Sequence, residues 1–241
     1  MTQSRLTAIL LLIVTLAFFA SPAVTPPFRG YDPAIFPVLI ARPAIQPAGY
    51  AFAIWGPIFV WLTAHAAYGL WRRADNPNWL RTRLPLTMAI VLGAVWLAIA
   101  QNNPITATVV ILAMAALALK AFLNADLNSD RWLLAAPLAI FAGWLTAAAA
   151  VSTGVVLAGY GWLSNTTVTL ILLAVVLALA ITVQARKAAM PLYGATVVWA
   201  LLGITLANWP DLLTVAIPAL TGALLLAALT AIFAKVATQP S

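Results

Sequence analysis

Side chains able to do acid–base, metal or nucleophile chemistry are scarce in this chain of 241 residues. It carries one His (His65), no Cys and no Glu, and its five acids are Asp32, Asp75, Asp126, Asp130 and Asp211. One imidazole with neither thiolate nor Glu makes no conventional zinc or iron site. A nucleophile–His–acid triad would need His65, and no Asp lies in an apolar stretch beside it. No Gly-rich phosphate loop occurs. The expectation is therefore a protein that is not an enzyme. His65 lies about 22 Å of helix from one end of its apolar stretch. It reads as a ligand contact or an axial ligand for a tetrapyrrole metal, or as a buried His bonded to a neighbouring helix.

Aromatic side chains are the abundant resource, with ten Trp. Trp71, Trp79, Trp132, Trp162 and Trp209 fall at the ends of apolar stretches, where an aromatic belt sits at a membrane surface. Trp55, Trp61, Trp96, Trp144 and Trp199 fall inside them. Phe52, Trp55, Phe59 and Leu62 recur at helical spacing and form one face. Facing lipid, that stripe is ordinary. Facing inward, it lines an apolar cavity and stacks on a flat hydrophobic ligand. Gly143 and the run Ala147–Ala150 flank Trp144, and small residues there serve close helix packing or leave room beside an indole.

The elements that hold these residues are transmembrane helices. The chain is 64% hydrophobic and 7% charged, with a mean hydropathy of +1.03, so the fold class is all-α, a polytopic helical membrane protein. About eight spans are predicted: Leu6–Ala23, Gly49–Trp71, Leu84–Ala100, Ile105–Leu123, Trp132–Thr153, Thr167–Gln184, Ala189–Ala207 and Leu212–Ala234. No charged residue falls in the core of any of them, which speaks against an ion-driven pump. Ten of the twelve Lys and Arg then fall on one side: Arg5, Arg72, Arg73, Arg81, Arg83, Lys120, Arg131, Arg186, Lys187 and Lys235. Only Arg29 and Arg42 fall on the other. That bias puts both termini in the cytoplasm, across a bacterial inner membrane. The net charge of +7 is spread over short loops, so it reports topology and not nucleic-acid binding. The first span also has signal-peptide features, with Arg5 ahead of it and small residues at Ala20-Ser21-Pro22-Ala23. It is read as a retained helix; cleavage would leave seven with the same orientation.

Between the first two spans, the outer loop 21–48 contains Pro22, Pro26, Pro27, Pro33, Pro37, Pro43 and Pro47, which rule out a continuous helix. Phe28, Tyr31, Phe36, Val38 and Leu39 make it too apolar for a solvated linker. It reads either as an ordered lid over the outer mouth of the bundle or as a segment lying among lipid headgroups.

Two motifs carry a resemblance. Pro47-Ala48-Gly49-Tyr50-Ala51-Phe52-Ala53-Ile54-Trp55-Gly56-Pro57 resembles the second-helix start of the TspO/MBR family, the tryptophan-rich sensory or translocator proteins. Pro137-Leu138-Ala139-Ile140-Phe141-Ala142-Gly143-Trp144 resembles its fifth-helix pattern. The third-helix Asn-x-x-Trp reads Gly93-Ala94-Val95-Trp96, the fifth-helix Asn falls at Ser152, and three spans follow, as in a longer, divergent branch. The resemblance implies a TspO-like five-helix membrane domain over residues 1–165, with three additional transmembrane helices over 166–241. It implies a non-enzymatic binding protein, sensor or carrier for a porphyrin or other tetrapyrrole, a carotenoid or a sterol-like molecule. No cofactor follows with certainty, a bound porphyrin, haem or carotenoid being the candidates. Trp144 carries over as a ligand contact, with Ala148 and Val151 further along its face. Phe52 and Trp55 follow as motif residues, then Trp96; Phe59 and His65 complete the candidate set from the second span. The alternative is a structural accessory subunit of a larger respiratory or photosynthetic membrane complex. Expected partners are the bilayer, the hydrophobic ligand, and a second copy or larger membrane complex.

Overall fold

The computed structural model describes residues 2–26, 28 and 30–237. Arg29 and Pro27, used above for the charge bias and the outer loop, lie outside the described residues. Eight α-helices account for the described fold: α1 (Gln3–Val24), α2 (Trp55–Arg72), α3 (Pro77–Ala100), α4 (Pro104–Asn124), α5 (Arg131–Gly159), α6 (Asn165–Arg186), α7 (Leu192–Asn208) and α8 (Leu213–Ala237). Two 3-10 turns, Pro33–Ile35 and Gly49–Ile54, interrupt the connection between α1 and α2. Seven of the helices are long and apolar enough to cross a membrane. The eighth, α7, is apolar but has 17 residues, about 25 Å of helix against a hydrocarbon core of about 30 Å.

Helix starts follow local chemistry. Thr2, Asn76, Asn103 and Ser164 each turn a side-chain oxygen onto a backbone N–H of the first turn. Pro77 and Pro104 follow two of these caps, where a missing donor costs nothing. α2 starts six residues later than predicted, after the 3-10 turn at Gly49–Ile54, and α5 ends six residues later, at Gly159. Capping explains the largest boundary shift. Hydropathy begins the third span at Leu84, but the Asn76-Pro77 cap starts α3 seven residues earlier. Arg81 and Arg83 therefore lie inside a helix, and Arg83 is buried, contrary to the expectation that all cations stay at the rim. Hydropathy averaging stops at charges; capping does not.

Contacts divide the chain into two compact units, bounded by Met1–Arg29 with Ile54–Leu145 and by Gly30–Ala53 with Thr146–Ser241. In the first, α1 packs on α2 and α3, and α3 packs on α4, around Leu86, Ile90, Phe122 and Phe141. In the second, α6 and α7 pack on α8 and on each other, around Tyr193, Val197, Val215 and Leu226. The division falls inside α5, the most thoroughly buried of the spanning helices. Its Ala-rich sequence is the reason, since small side chains let neighbouring backbones approach where lipid gives no hydrophobic drive.

Candidate functional site

Within the first unit the sequence-predicted aromatics of α2 and α5 come together. Trp55 stacks on Phe59 with centroids 5.3 Å apart and planes at 22°, one helical turn on. Trp144 meets Trp55 edge-on at 6.1 Å. The space between is filled by a residue the sequence reading did not single out. Phe18 of α1 lies 5.7 Å from Trp55, 5.0 Å from Phe59 and 6.0 Å from Phe141. Its ring reaches across to Gly93 of α3, where an added Cβ would lie 2.7 Å from Phe18 Cε2. Gly93 is thus a packing glycine, occupying the place where the family pattern has Asn. Phe18, Trp55, Phe59, Phe141 and Trp144 thus form one aromatic box drawn from α1, α2 and α5, with Trp144 joined to it through Trp55 and Gly93 of α3 packed against Phe18.

Trp96 and His65 are held elsewhere in this unit. Trp96 donates its indole N–H to the Ala107 carbonyl of α4 at 2.9 Å and meets Phe28 edge-on at 5.2 Å. His65 is buried, with Nδ1 donating to the Leu133 carbonyl of α5 at 2.8 Å and its ring stacked on Trp79 at 4.7 Å. That is the arrangement of a histidine bonded to a neighbouring helix.

Trp79, assigned by position to the aromatic belt, is buried and donates to Asp130 Oδ2 at 3.0 Å. Asp130 also accepts from Arg73 Nε at 2.6 Å, Arg73 Nη2 at 3.1 Å and the Tyr68 hydroxyl at 3.4 Å. Its carbonyl accepts the Leu133 and Leu134 amides that open α5, at a backbone φ of 50°. The Arg73 guanidinium, helped by Trp79 and Tyr68, holds this carboxyl below the usual carboxylate range. One acid at the basic end therefore ties α2, α3 and the start of α5. The sequence signal was an Asp–Arg pair at a helix start, which reveals a cap and not its distant partners.

In the second unit the Pro-rich segment is an ordered strap and not a loose loop. The Tyr31 and Ser152 hydroxyls bond at 2.6 Å, and the Val38 amide donates to the Gly159 carbonyl at 2.9 Å. Asn165 of α6 accepts from the Ala44 amide at 2.9 Å and donates to the Arg42 carbonyl at 3.1 Å. Asn208 of α7 donates to the Ala44 carbonyl at 2.8 Å, Ala48 to the Gly203 carbonyl at 2.9 Å, and Trp199 to the Ala51 carbonyl at 2.9 Å. Gly159 and Gly203 are required by this contact, since an added Cβ would meet Phe36 at 2.4 Å and Pro47 at 2.8 Å respectively. Its backbone is fastened to helix ends, while Ile35, Val38 and Leu39 are exposed.

Phe52, Ala148 and Val151 lie in this second unit. Phe52 is exposed in the 3-10 turn before α2, and Ala148 is half-buried on α5. Val151 lines an apolar void of ≈ 10 Å³ with Ile45 of the strap, Ala147, Ala150, Leu172 and Val197. A void of that size is at the limit for one water and offers no polar partner, so it stays dry and excludes any larger guest as it stands.

Among the described residues, no group of three or more His and Asp is placed to hold a metal ion. A family model described as TSPO-like protein matches residues 5–232, from the first turn of α1 to the last turns of α8. The chain belongs to this family, and is an integral membrane protein. No curated protein and no solved structure matches it.

Proposed function

We propose that this member of the TSPO-like family is a non-enzymatic binding protein or sensor for a flat hydrophobic ligand of the porphyrin, carotenoid or sterol-like class. The single observation that supports the reading is the aromatic box of Trp55, Phe59 and Trp144 around Phe18. Stacked and edge-on rings offer a planar apolar guest both of the geometries that aromatic pairs prefer. Phe18 holds the place that a guest ring would take, so binding exchanges one aromatic for another without leaving polar groups bare. Ala148, Val151 and Phe52 are proposed contacts in the second unit, and Trp96 and His65 supporting residues in the first. The positive-inside bias supports a cytoplasmic location for both termini and for the Asp130–Arg73 end, in a bacterial inner membrane.

The test is a titration of the purified protein with protoporphyrin IX, haem and a carotenoid, followed by tryptophan fluorescence. Saturable quenching that weakens in Trp144→Ala and Trp55→Ala supports the reading. Absence of saturable quenching, or a curve unchanged by either substitution, overturns it. A stable large complex without ligand after mild-detergent purification would favour a structural accessory subunit instead.

A further inference from the structure

Among the described residues, Arg83 is the one guanidinium that is both inside a spanning helix and buried, at 4% exposure. A buried cation is costly unless its donors are satisfied and its charge is matched. Both terminal nitrogens are engaged: Nη1 gives hydrogen bonds to the Ser4 carbonyl at 2.7 Å, the Ala74 carbonyl at 3.0 Å and Thr7 Oγ1 at 3.2 Å, and Nη2 to the Arg73 carbonyl at 3.4 Å. The charge is not matched. Among the described residues no carboxylate lies within ion-pair distance of Arg83. The nearest that acts on it, Asp75, is itself engaged by the Ser4 and Thr2 hydroxyls. Arg5, next to the Ser4 that Arg83 bonds, and Arg72 and Arg81 on the neighbouring stretch of chain are exposed and add to the positive field. All the acceptors of Arg83 are neutral oxygens, so none of them cancels the positive charge.

Arg83 is also part of the wall of a groove of ≈ 380 Å³ between α1 and α3. Gln3, Ser4, Thr7, Arg83 and Thr87 are its polar lining; Leu10, Leu80 and Leu84 are apolar, and these three are 50%, 38% and 70% exposed. α1 and α3 both start at the basic end, so Gln3, Ser4 and Leu80 lie nearest the helix starts, Arg83 about one turn further along, and Leu10 and Leu84 beside and just beyond it, with Thr87 a turn deeper. Arg83 is about 9 Å along α3 from Pro77, within the first two turns of the helix.

We propose that this groove is a binding site for one anionic phospholipid, its phosphate held beside Arg83 and an acyl chain laid along Leu10 and Leu84. Charge complementarity selects the occupant: a buried cation without a carboxylate, among exposed basic residues, is matched by an anionic headgroup. The apolar half of the groove distinguishes a lipid from a free anion, because only a lipid covers those leucines. The site does not depend on the aromatic box and is separate from it in the first unit.

The experiment uses the purified full chain in a neutral detergent. Its thermal midpoint is followed while dioleoyl-phosphatidylglycerol, cardiolipin, phosphatidylcholine or inorganic phosphate is added, and native mass spectrometry counts retained lipid. A bound lipid raises the midpoint in proportion to its saturation. The expected result is a rise with phosphatidylglycerol and cardiolipin, none with phosphatidylcholine or inorganic phosphate, and one retained anionic lipid. Leu10→Trp and Leu84→Trp fill the groove from its exposed side without touching any bond of Arg83, and each should abolish the rise. Arg83→Gln should weaken the anionic-lipid response about tenfold or more, the loss of one positive charge beside the phosphate; should it fail to fold, the two leucine variants decide the matter. An equal rise with phosphatidylcholine, a rise reproduced by inorganic phosphate alone, or an undiminished rise in Leu10→Trp overturns the proposal.

Discussion

Asp130 grips Arg73 through two atoms, Nε at 2.6 Å and Nη2 at 3.1 Å, from a residue with left-handed backbone at φ 50°. Asp and Asn tolerate that conformation better than other side chains with a Cβ. Asp130→Asn should therefore keep the turn and the acceptor for Trp79 while losing the charge on Arg73. Asp130→Ala should lose all of it. The expected order of thermal midpoints in detergent is wild type, then Asn, then Ala, with a total drop on the order of a few degrees.

The same carboxyl dictates a pH response. Its pKa is lowered in the folded protein, first by the Arg73 hydrogen bond. The ionised form is therefore favoured more by the folded than by the unfolded chain. That stabilisation is complete above the unfolded value of about 3.9 and is lost as pH falls through the lower, folded one. Asp126, lowered by its bonds to Ser129, acts in the same direction. Thermal midpoints measured from pH 7 down to pH 3 should fall below about pH 4, and Asp130→Asn should flatten part of that fall.

Phe18 and Gly93 should be energetically coupled. Gly93→Ala puts a methyl 2.7 Å from Phe18 Cε2 and should destabilise by about 1–3 kcal/mol, the usual cost of overpacking. Phe18→Leu shortens the side chain and opens the space. The double variant should be less destabilised than the sum of the two singles, read from unfolding in mixed micelles. Simple additivity would mean that the ring and the glycine do not share a space.

Asn208 anchors the strap by donating to Ala44 while bonding back to Ile204 of its own helix at 2.8 Å. Asn208→Leu leaves the Ala44 carbonyl without that donor, and Asn165→Leu releases Ala44 and Arg42 together. Limited proteolysis should then cut within residues 30–53 faster than in the wild type, the double variant fastest. Cleavage elsewhere should change little.

The helices were legible because a membrane span is written in composition over about 20 residues. The exceptions are instructive. The start of α3 was hidden by Arg81 and Arg83, although Asn76-Pro77 announced it. Trp55, Phe59 and Trp144 were legible as a set because α2 presents its aromatics one turn apart and a motif flagged α5. Phe18 was not, since nothing in Phe18-Phe19 says which ring turns inward. Asp130, Asn165 and Asn208 were silent for a different reason. Each acts through partners dozens of residues away, with which no local pattern connects it. Trp79 shows the opposite error: position put it in the aromatic belt, and a carboxylate 51 residues away placed it in the core.

The strap also bears on α7 itself. Its contacts run from Asn208 at the helix end to Trp199, nine residues and about 13 Å back along the axis. Residues 44–51 therefore lie alongside the last turns of α7. Backbone outside an α-helix is tolerated beside a span only where protein satisfies its polar groups, and here Asn208, Gly203 and Trp199 do so. The shortest α-helix of the described fold thus carries a proline-stiffened sheath over its last turns.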